Sequence, residues 1–338
     1  MTLVFLAGIA VVDIIATDLP GVPSAGELIF TPKHIELHVG GHTCNVSSDL
    51  VQMGLKPSEI TMVIPVGPEG DVFADFIVKE LEKRGLKPYL QRTDRPTSKT
   101  MVIVVKGEDR RFINDPGANL AFDPDEVIKL FEEEGGVVFY VGATGILGRF
   151  DDKLPEVCKK AKKKGYITFV DPVTPYRKGW NHLISSMENI DVFHCNDMEA
   201  KQMTGMKDVK EAIRWMLNRG VKLAIVTMGE KGLLAGFKEN TVFVPAFKVE
   251  VVDPTGAGDA FCAGVIHSLV TKPLLGRVKK GLEQLEVEDV VEILVKASAW
   301  GAACCMGVGT TSAVKPEVVS RVLSSEEAVK ARVKLEKL

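Results

Sequence analysis

Short, continuous apolar runs recur along this chain, each closed by a cluster of turn-forming residues. Residues 3–9, 60–66, 137–141, 166–170 and 223–226 are of this kind, and 190–194, interrupted by Asp191, reads as a further strand. A run that is apolar at every position, without alternation, is what a strand buried on both faces requires. Between these runs lie stretches with helical spacing, at 45–53, 72–84, 154–164 and 290–305. The run Lys162-Lys163-Lys164 suits a solvated last helical turn, where the helix dipole favours cations. Buried strands alternating with helices predict an α/β fold, a doubly wound, mostly parallel sheet with helices on both faces.

Two segments break that pattern. Residues 28–39 partly alternate apolar and polar, and residues 97–105 alternate and are rich in β-branched side chains. Lys106-Gly107-Glu108-Asp109-Arg110 reads as a hairpin turn, with the chain returning over 111–114. Alternation is the mark of half-exposed strands. A small β insertion made of 14–40 and 97–115 is therefore expected within a single α/β domain spanning 1–338. The charged end, 326–338, is expected to be an exposed helix.

Composition narrows the function classes. Of 338 residues, 46% are hydrophobic and 26% charged, an ordinary globular balance. The net charge of −3 gives no basic field for nucleic acid or an anionic membrane surface. The apolar start, residues 3–16, has no basic leader and is interrupted by Asp13, so it reads as a first core strand and not a signal peptide. No uninterrupted apolar stretch reaches the ~18 residues of a membrane span. Six cysteines without CxxC spacing suit free thiols in a reducing compartment, hence the cytoplasm. There is no GxxxxGK[ST], GxGxxG or HExxH.

The chemistry concentrates in residues 251–261, Val-Val-Asp-Pro-Thr-Gly-Ala-Gly-Asp-Ala-Phe. An apolar, strand-like run ends at Val252. A glycine-rich turn follows, then a helical stretch over 260–270. The first turn of a helix carries unpartnered N–H groups and partial positive charge, and glycines let an anion approach that backbone. Asp259 would then face the anion. A carboxylate placed against a phosphate needs a reason, and removal of a proton from an attacking hydroxyl supplies one. A plain capped helix after a tight turn is the alternative reading of the same residues.

Asp253-Pro-Thr-Gly-Ala-Gly-Asp-Ala-Phe261 resembles the C-terminal signature of the PfkB, or ribokinase-like, carbohydrate kinases. The resemblance implies ATP-dependent phosphoryl transfer to a hydroxyl, with Asp259 as base and the Gly256, Ala257 and Gly258 backbone as an anion hole. Gly40-Gly41-His42-Thr43-Cys44-Asn45 is similar to the family's N-terminal signature, except that Thr43 stands where the family has Gly, Ala or Pro. It implies that Asp13, Gly41 and Asn45 hold the acceptor. Gly67-x-x-Gly70-Asp71 also matches a family pattern, although Asp71 reads more simply as a helix N-cap. Asn196-x-x-Glu199 resembles the family motif that organises Mg²⁺, its waters and the phosphates, and by spacing alone is equally a capping pair. By the same resemblance Asp253 joins the metal set. Thr227-x-Gly229-x-x-Gly232 and Thr255 would approach the nucleotide. Residues 307–311 would border the adenine, where the family often holds a monovalent cation. In the family the β insertion is a lid, closed here by Pro116-Gly117-Ala118-Asn119, and its outer face often pairs with a second subunit, so a homodimer is expected.

Family acceptors are small molecules: sugars, sugar phosphates, nucleosides and cyclic polyols. Asp13 and Asn45 offer a carboxylate and an amide, which suit vicinal hydroxyls. Asp13 would repel an acceptor phosphate, although Arg149, Arg177 and Lys178 could form a basic cluster for one. No aromatic residue lies between Val39 and Phe73 to stack a base. The expected acceptor is a neutral polyol, myo-inositol first, with a nucleoside or sugar phosphate as the alternative. A non-enzymatic sugar-binding regulator is disfavoured because the set around Asp259 is complete.

Overall fold

The computed structural model describes residues 2–108 and 110–338; Met1 and Asp109, the latter within the expected hairpin turn, lie outside the described residues. Fourteen strands are found there: β1 (Val4–Gly8), β2 (Val11–Leu19), β3 (Glu36–Gly40), β4 (Ile60–Val66), β5 (Tyr89–Arg92), β6 (Ser98–Val105), β7 (Arg111–Asp115), β8 (Val138–Thr144), β9 (Ile167–Pro172), β10 (Val192–Asn196), β11 (Leu223–Thr227), β12 (Leu233–Phe237), β13 (Asn240–Val244) and β14 (Lys334–Lys337).

Ten of them form one sheet in the order β14-β13-β12-β11-β10-β9-β8-β1-β4-β5. From β5 to β11 neighbours run parallel, and β12, β13 and β14 are added antiparallel. Strands β1, β4 and β8 are buried at every position, as their unbroken apolar runs predict. Helices cover both faces, each over its own apolar core. The chain moves from β1 outward to β4 and β5, then returns to β8 on the other side of β1. The sheet therefore reverses its winding between β1 and β8, the place where open α/β sheets form a ligand crevice at the strand C-termini.

The second sheet has the order β3-β2-β6-β7. Its register sorts the side chains into two faces, because directly paired residues share a face. Leu37, Ile14, Met101 and Ile113 form one cross-strand row. His38, Asp13, Thr100 and Asn114 form the next, on the opposite face. One face of this sheet is thus apolar, and the other presents a carboxylate, a hydroxyl and an amide.

Three expectations change. The apolar start is not one strand: β1 ends at Gly8, and Val11–Leu19 is a second strand, separated from it by only Ile9 and Ala10, with Asp13 inside it. The run before the glycine turn is not a strand, since residues 245–256 make no sheet pairing and Val251 and Val252 are exposed. The C-terminal segment is not one helix. A single short helix, Glu326–Lys330, is followed by β14, which pairs with β13. Its Lys334, Glu336 and Lys337 put charge on a sheet edge, which discourages further strand addition.

Candidate active site

The helix Ala257–Val270 begins at the glycine turn and packs against β8 beside the winding reversal. Gly256 has φ 83°, and a Cβ there would lie 2.6 Å from the Thr310 carbonyl oxygen, so only glycine makes this entry. Gly258 is different. A Cβ on it would meet only the His194 ring, 3.7 Å away. The protein itself does not need glycine at 258, and the space is left for something else. Among the described residues no protein acceptor takes the Gly258 or Asp259 N–H. Two free N–H groups above an open glycine, at a positive helix end, form a cradle that fits a phosphate.

Asp259 is buried at the floor of this cradle. Its Oδ2 accepts the Asn45 amide at 2.7 Å, while Thr310 Oγ1 donates to Asn45 Oδ1 at 2.8 Å. Asn45, expected only to hold the acceptor, therefore first fixes Asp259, and it retains one amide proton for a ligand. Burial pushes the Asp259 carboxyl up, against the pull of His42 and the Asn45 amide. That direction suits a general base, which needs more basicity than an exposed carboxylate has.

Asp13 reaches the same crevice from the small sheet. A Cβ on Gly40 would lie 2.1 Å from Asp13 Oδ2, so Gly40 makes room for that side chain. Burial pushes the Asp13 carboxyl up to about 6, only partly countered by a hydrogen bond with Thr100, and the charges of Asp259 and Asp253 add to the rise. Gly41, at φ 94°, packs against the Ile9 carbonyl and starts the helix His42–Gln52. Thr43 is fully buried with an unpartnered Oγ1. A Cβ on Gly8 would meet that Oγ1 at 2.8 Å, so the bulk at 43 is matched by its absence at 8.

Behind Asp259 lies a cluster that the motifs do not mark. Asp171 accepts Tyr140 Oη at 3.1 Å and pairs with His194 Nδ1 at 2.9 Å, and His194 Nε2 is 3.1 Å from Thr227 Oγ1. Burial alone would raise the Asp171 carboxyl, but the two histidines and the tyrosine hold it below its ordinary value. Asp171 and His194 stand near the C-terminal ends of β9 and β10, and that position was the one sequence signal available.

Where the nucleotide is expected, Asn196 and Glu199 form a reciprocal capping box, with Glu199 N–H to Asn196 Oδ1 at 2.8 Å and Asn196 N–H to Glu199 Oε2 at 2.9 Å. Both still offer hard oxygen donors, the kind Mg²⁺ takes directly or through water. Burial raises the Glu199 carboxyl, and neighbouring Asp171 adds to the rise, a charge conflict that a divalent cation would relieve. Asp253 fits that role poorly. Its Oδ1 accepts Thr255 N–H at 3.0 Å and Thr255 Oγ1 at 2.6 Å, and its Oδ2 accepts Gly309 N–H at 3.1 Å. Asp253 is instead a clasp for the glycine turn, and Arg110 from the β6–β7 turn reaches it at 3.3 Å and also bonds Thr255 Oγ1. Thr255 is thereby committed to the loop. Gly229, at φ 57°, has open space around it, whereas a Cβ on Gly232 would strike the Val244 carbonyl at 2.1 Å. Of these two, Gly229 alone is left clear for a ligand.

The basic residues named for a second phosphate are each engaged with a neighbour. Arg149 pairs with Asp125 at 2.5 Å, Lys178 with Asp152 at 2.6 Å, and Arg177 lies over the Tyr176 ring at 4.8 Å. No helix among the described residues is long and apolar enough to cross a membrane.

Comparison with known proteins gives the family. The family model described as pfkB family carbohydrate kinase matches residues 1–317. A deoxyribokinase of Salmonella typhi is 27% identical over 315 residues, covering 90% of this chain and 93% of its own length. A cytidine kinase of Thermococcus kodakarensis is 36% identical over 129 residues, which are 37% of this chain and 44% of its own length. Among solved structures, ribokinase from Giardia lamblia superposes with a TM-score of 0.79 at 19% identity, covering 96% of this chain and 99% of that one. Fructokinase from Xylella fastidiosa, with bound ATP, gives 0.78 at 19% identity, over 96% and 99%. These structural likenesses carry the fold, a ribokinase-like α/β sheet. Taken with the family match over nearly the whole chain, they make it a member of the pfkB family of carbohydrate kinases, a phosphotransferase whose acceptor is an alcohol group.

Proposed function

We propose that this protein transfers the γ-phosphoryl of ATP to a hydroxyl of a small neutral polyol or sugar, with myo-inositol the first acceptor to test. The observation that carries the acceptor class is the row facing the glycine turn from the small sheet. Beside the His38 imidazole, Asp13, Thr100 and Asn114 present a carboxylate, a hydroxyl and an amide there. Such groups recognise hydroxyls and disfavour a second phosphate. The engagement of Arg149 and Lys178 with surface carboxylates points the same way.

In this reading Asp259 takes the proton of the attacking hydroxyl, and Asn45 and Thr310 keep its carboxylate oriented. The free N–H groups of the cradle receive the transferring phosphoryl, so that charge develops where donors already point. Asp13 and the remaining Asn45 proton hold the acceptor. Asn196 and Glu199 would hold Mg²⁺ through water, and Mg²⁺ when bound supplies charge neutralisation at the phosphate oxygens. The second sheet acts as the lid, tied to the glycine turn through Arg110, Asp253 and Thr255. Its outer apolar row is covered by a second copy of the chain. The six cysteines are all free, which suits a cytoplasmic enzyme.

A nucleoside acceptor is the second reading, and two observations favour it. One is the cytidine kinase among the relatives. The other is Phe112, which pairs with Val102 beside Ile15 and so shares the face of Asp13. The test is kcat/KM with ATP and Mg²⁺ over myo-inositol, ribose, fructose, fructose 6-phosphate, adenosine and cytidine. The proposal expects myo-inositol to lead. A nucleoside or sugar phosphate that exceeds every neutral polyol by about tenfold would overturn the acceptor, since a site built for one set of hydrogen bonds rejects others by at least that much.

A further inference from the structure

His42 is the first residue of the helix His42–Gln52 and belongs to none of the roles above. Its place is prepared by the backbone. A Cβ on Gly142 would lie 2.5 Å from His42 Cβ, so the glycine in β8 exists where the histidine must pass. The imidazole Nε2 stands 3.8 Å from Asp259 Oδ1 and 3.7 Å from Asp171 Oδ2, with the side chain 20% exposed. Neither separation is a hydrogen bond, and both are well within Coulomb range.

The two oxygens of Asp259 are thereby distinguished. Oδ2 is occupied by the Asn45 amide. Oδ1 faces His42 and has no hydrogen bond among the described residues, and it is the oxygen left for an acceptor hydroxyl. A cation at hydrogen-bonding distance would occupy that lone pair. A cation slightly farther away favours the ionised carboxylate and leaves the lone pair open. Asp171, on the other side of the imidazole, is held in place by Tyr140 and His194, so the histidine sits between two fixed carboxylates.

We propose that His42 is a positioning residue, protonated in the working enzyme, whose charge keeps Asp259 ionised while leaving Oδ1 free to take the acceptor proton. This rests on the kinase reading for its consequence in catalysis, but not for the charge pairing itself. The groups facing His42 and Asp259 come from every surrounding element. They are Asp171 on β9, Glu199 at the start of the helix Asp197–Thr204, His194 on β10, Tyr140 on β8, Asp13 on β2, Cys262 on the helix of Asp259, Cys44 and Asp49 on that of His42, and Cys304 at the end of the helix Val287–Cys304. Burial works against the imidazolium, but Asp259, Asp171 and Glu199 together outweigh it and hold the His42 pKa above its ordinary value.

Two measurements on the full chain test this. In histidine ε1-¹³C NMR titrations, with His42→Gln assigning the signal, Asp259→Asn should lower the His42 pKa by about one unit or more, the usual effect of losing an opposite charge at this range. An unchanged value overturns the pairing, whatever the protein phosphorylates. In pH profiles of kcat/KM for the best acceptor, loss of the cation lets the Asp259 carboxyl pKa rise. His42→Gln should therefore move the acid limb to higher pH by about one unit, with His42→Lys returning it toward wild type and the KM for ATP little changed. A rate loss that is uniform across pH, or a limb that stays put, overturns the catalytic consequence. If no acceptor is phosphorylated by wild type, the kinase reading fails, and the NMR comparison still decides the charge pairing.

Discussion

Gly258 occupies a helical position where alanine is normally preferred by about 1 kcal/mol, and a Cβ there would touch only the His194 ring at 3.7 Å. Gly258→Ala should therefore melt at or slightly above the wild-type temperature while losing most phosphoryl transfer, because its methyl fills the phosphate cradle. Activity within about twofold of wild type would show that the cradle is not used. Asp13 makes the opposite trade. Its folded pKa of about 6 lies above the ordinary carboxylate value, so its contribution to stability is full below that ordinary value and is lost as pH rises through about 6. Asp13→Asn should then be more stable than wild type by about 2–3 kcal/mol near pH 8 and about equal near pH 4, as read from denaturant melts. The same variant should lose about ten- to a hundredfold in kcat/KM for the acceptor, the value of a hydrogen bond to a charged group. Equal stability at both pH values would mean that the carboxylate is not strained by burial. Asp259 could be singled out because it lies in a motif with a chemical rationale, and Asp13 only through the family resemblance. His42, Asp171 and Tyr140 were not, because their partnership joins residues far apart in sequence that meet only at the strand ends.

At the scale of elements, the parallel strands were readable because burial on both faces demands unbroken apolar runs, as in Val4–Gly8 and Ile60–Val66. Strand β2 was harder. Its two faces look toward different surroundings, so Asp13, Thr17 and Asp18 interrupt its apolar positions. The helix Pro124–Glu134 has no counterpart in the sequence reading, since its acidic end masks the stripe formed by Val127, Ile128 and Phe131. The strand expected before the glycine turn failed for the reverse reason: Val251 and Val252 are apolar but unpaired. The small sheet carries the prediction proper to this scale. Leu37, Met101 and Ile113 are 46%, 49% and 60% exposed in one cross-strand row, an unusual face to leave in water. Wild type should be a dimer at micromolar concentration by light scattering, and Met101→Lys should shift it toward monomer while leaving the melting temperature of the large domain unchanged. A monomeric wild type at that concentration would contradict the proposed cover.

In the whole molecule, both sheets contribute to the proposed site. The large sheet supplies the crevice at its winding reversal, and the helix Ala257–Val270 supplies the anion cradle and Asp259. The small sheet delivers Asp13 from above, and its Arg110 turn meets the Asp253–Thr255 clasp below. No single element contains the site, so the motifs could announce phosphoryl transfer while leaving the acceptor to the geometry between the sheets. The claim on which the rest depends is that Asp259 takes the acceptor proton. Its most direct test is single-turnover phosphoryl transfer by Asp259→Asn with saturating ATP, Mg²⁺ and the best acceptor. The asparagine keeps the shape of the side chain and removes the base, so the rate should fall by about 10²–10⁴-fold with ATP binding preserved. A variant that transfers phosphoryl at close to the wild-type rate would remove Asp259 from the chemistry.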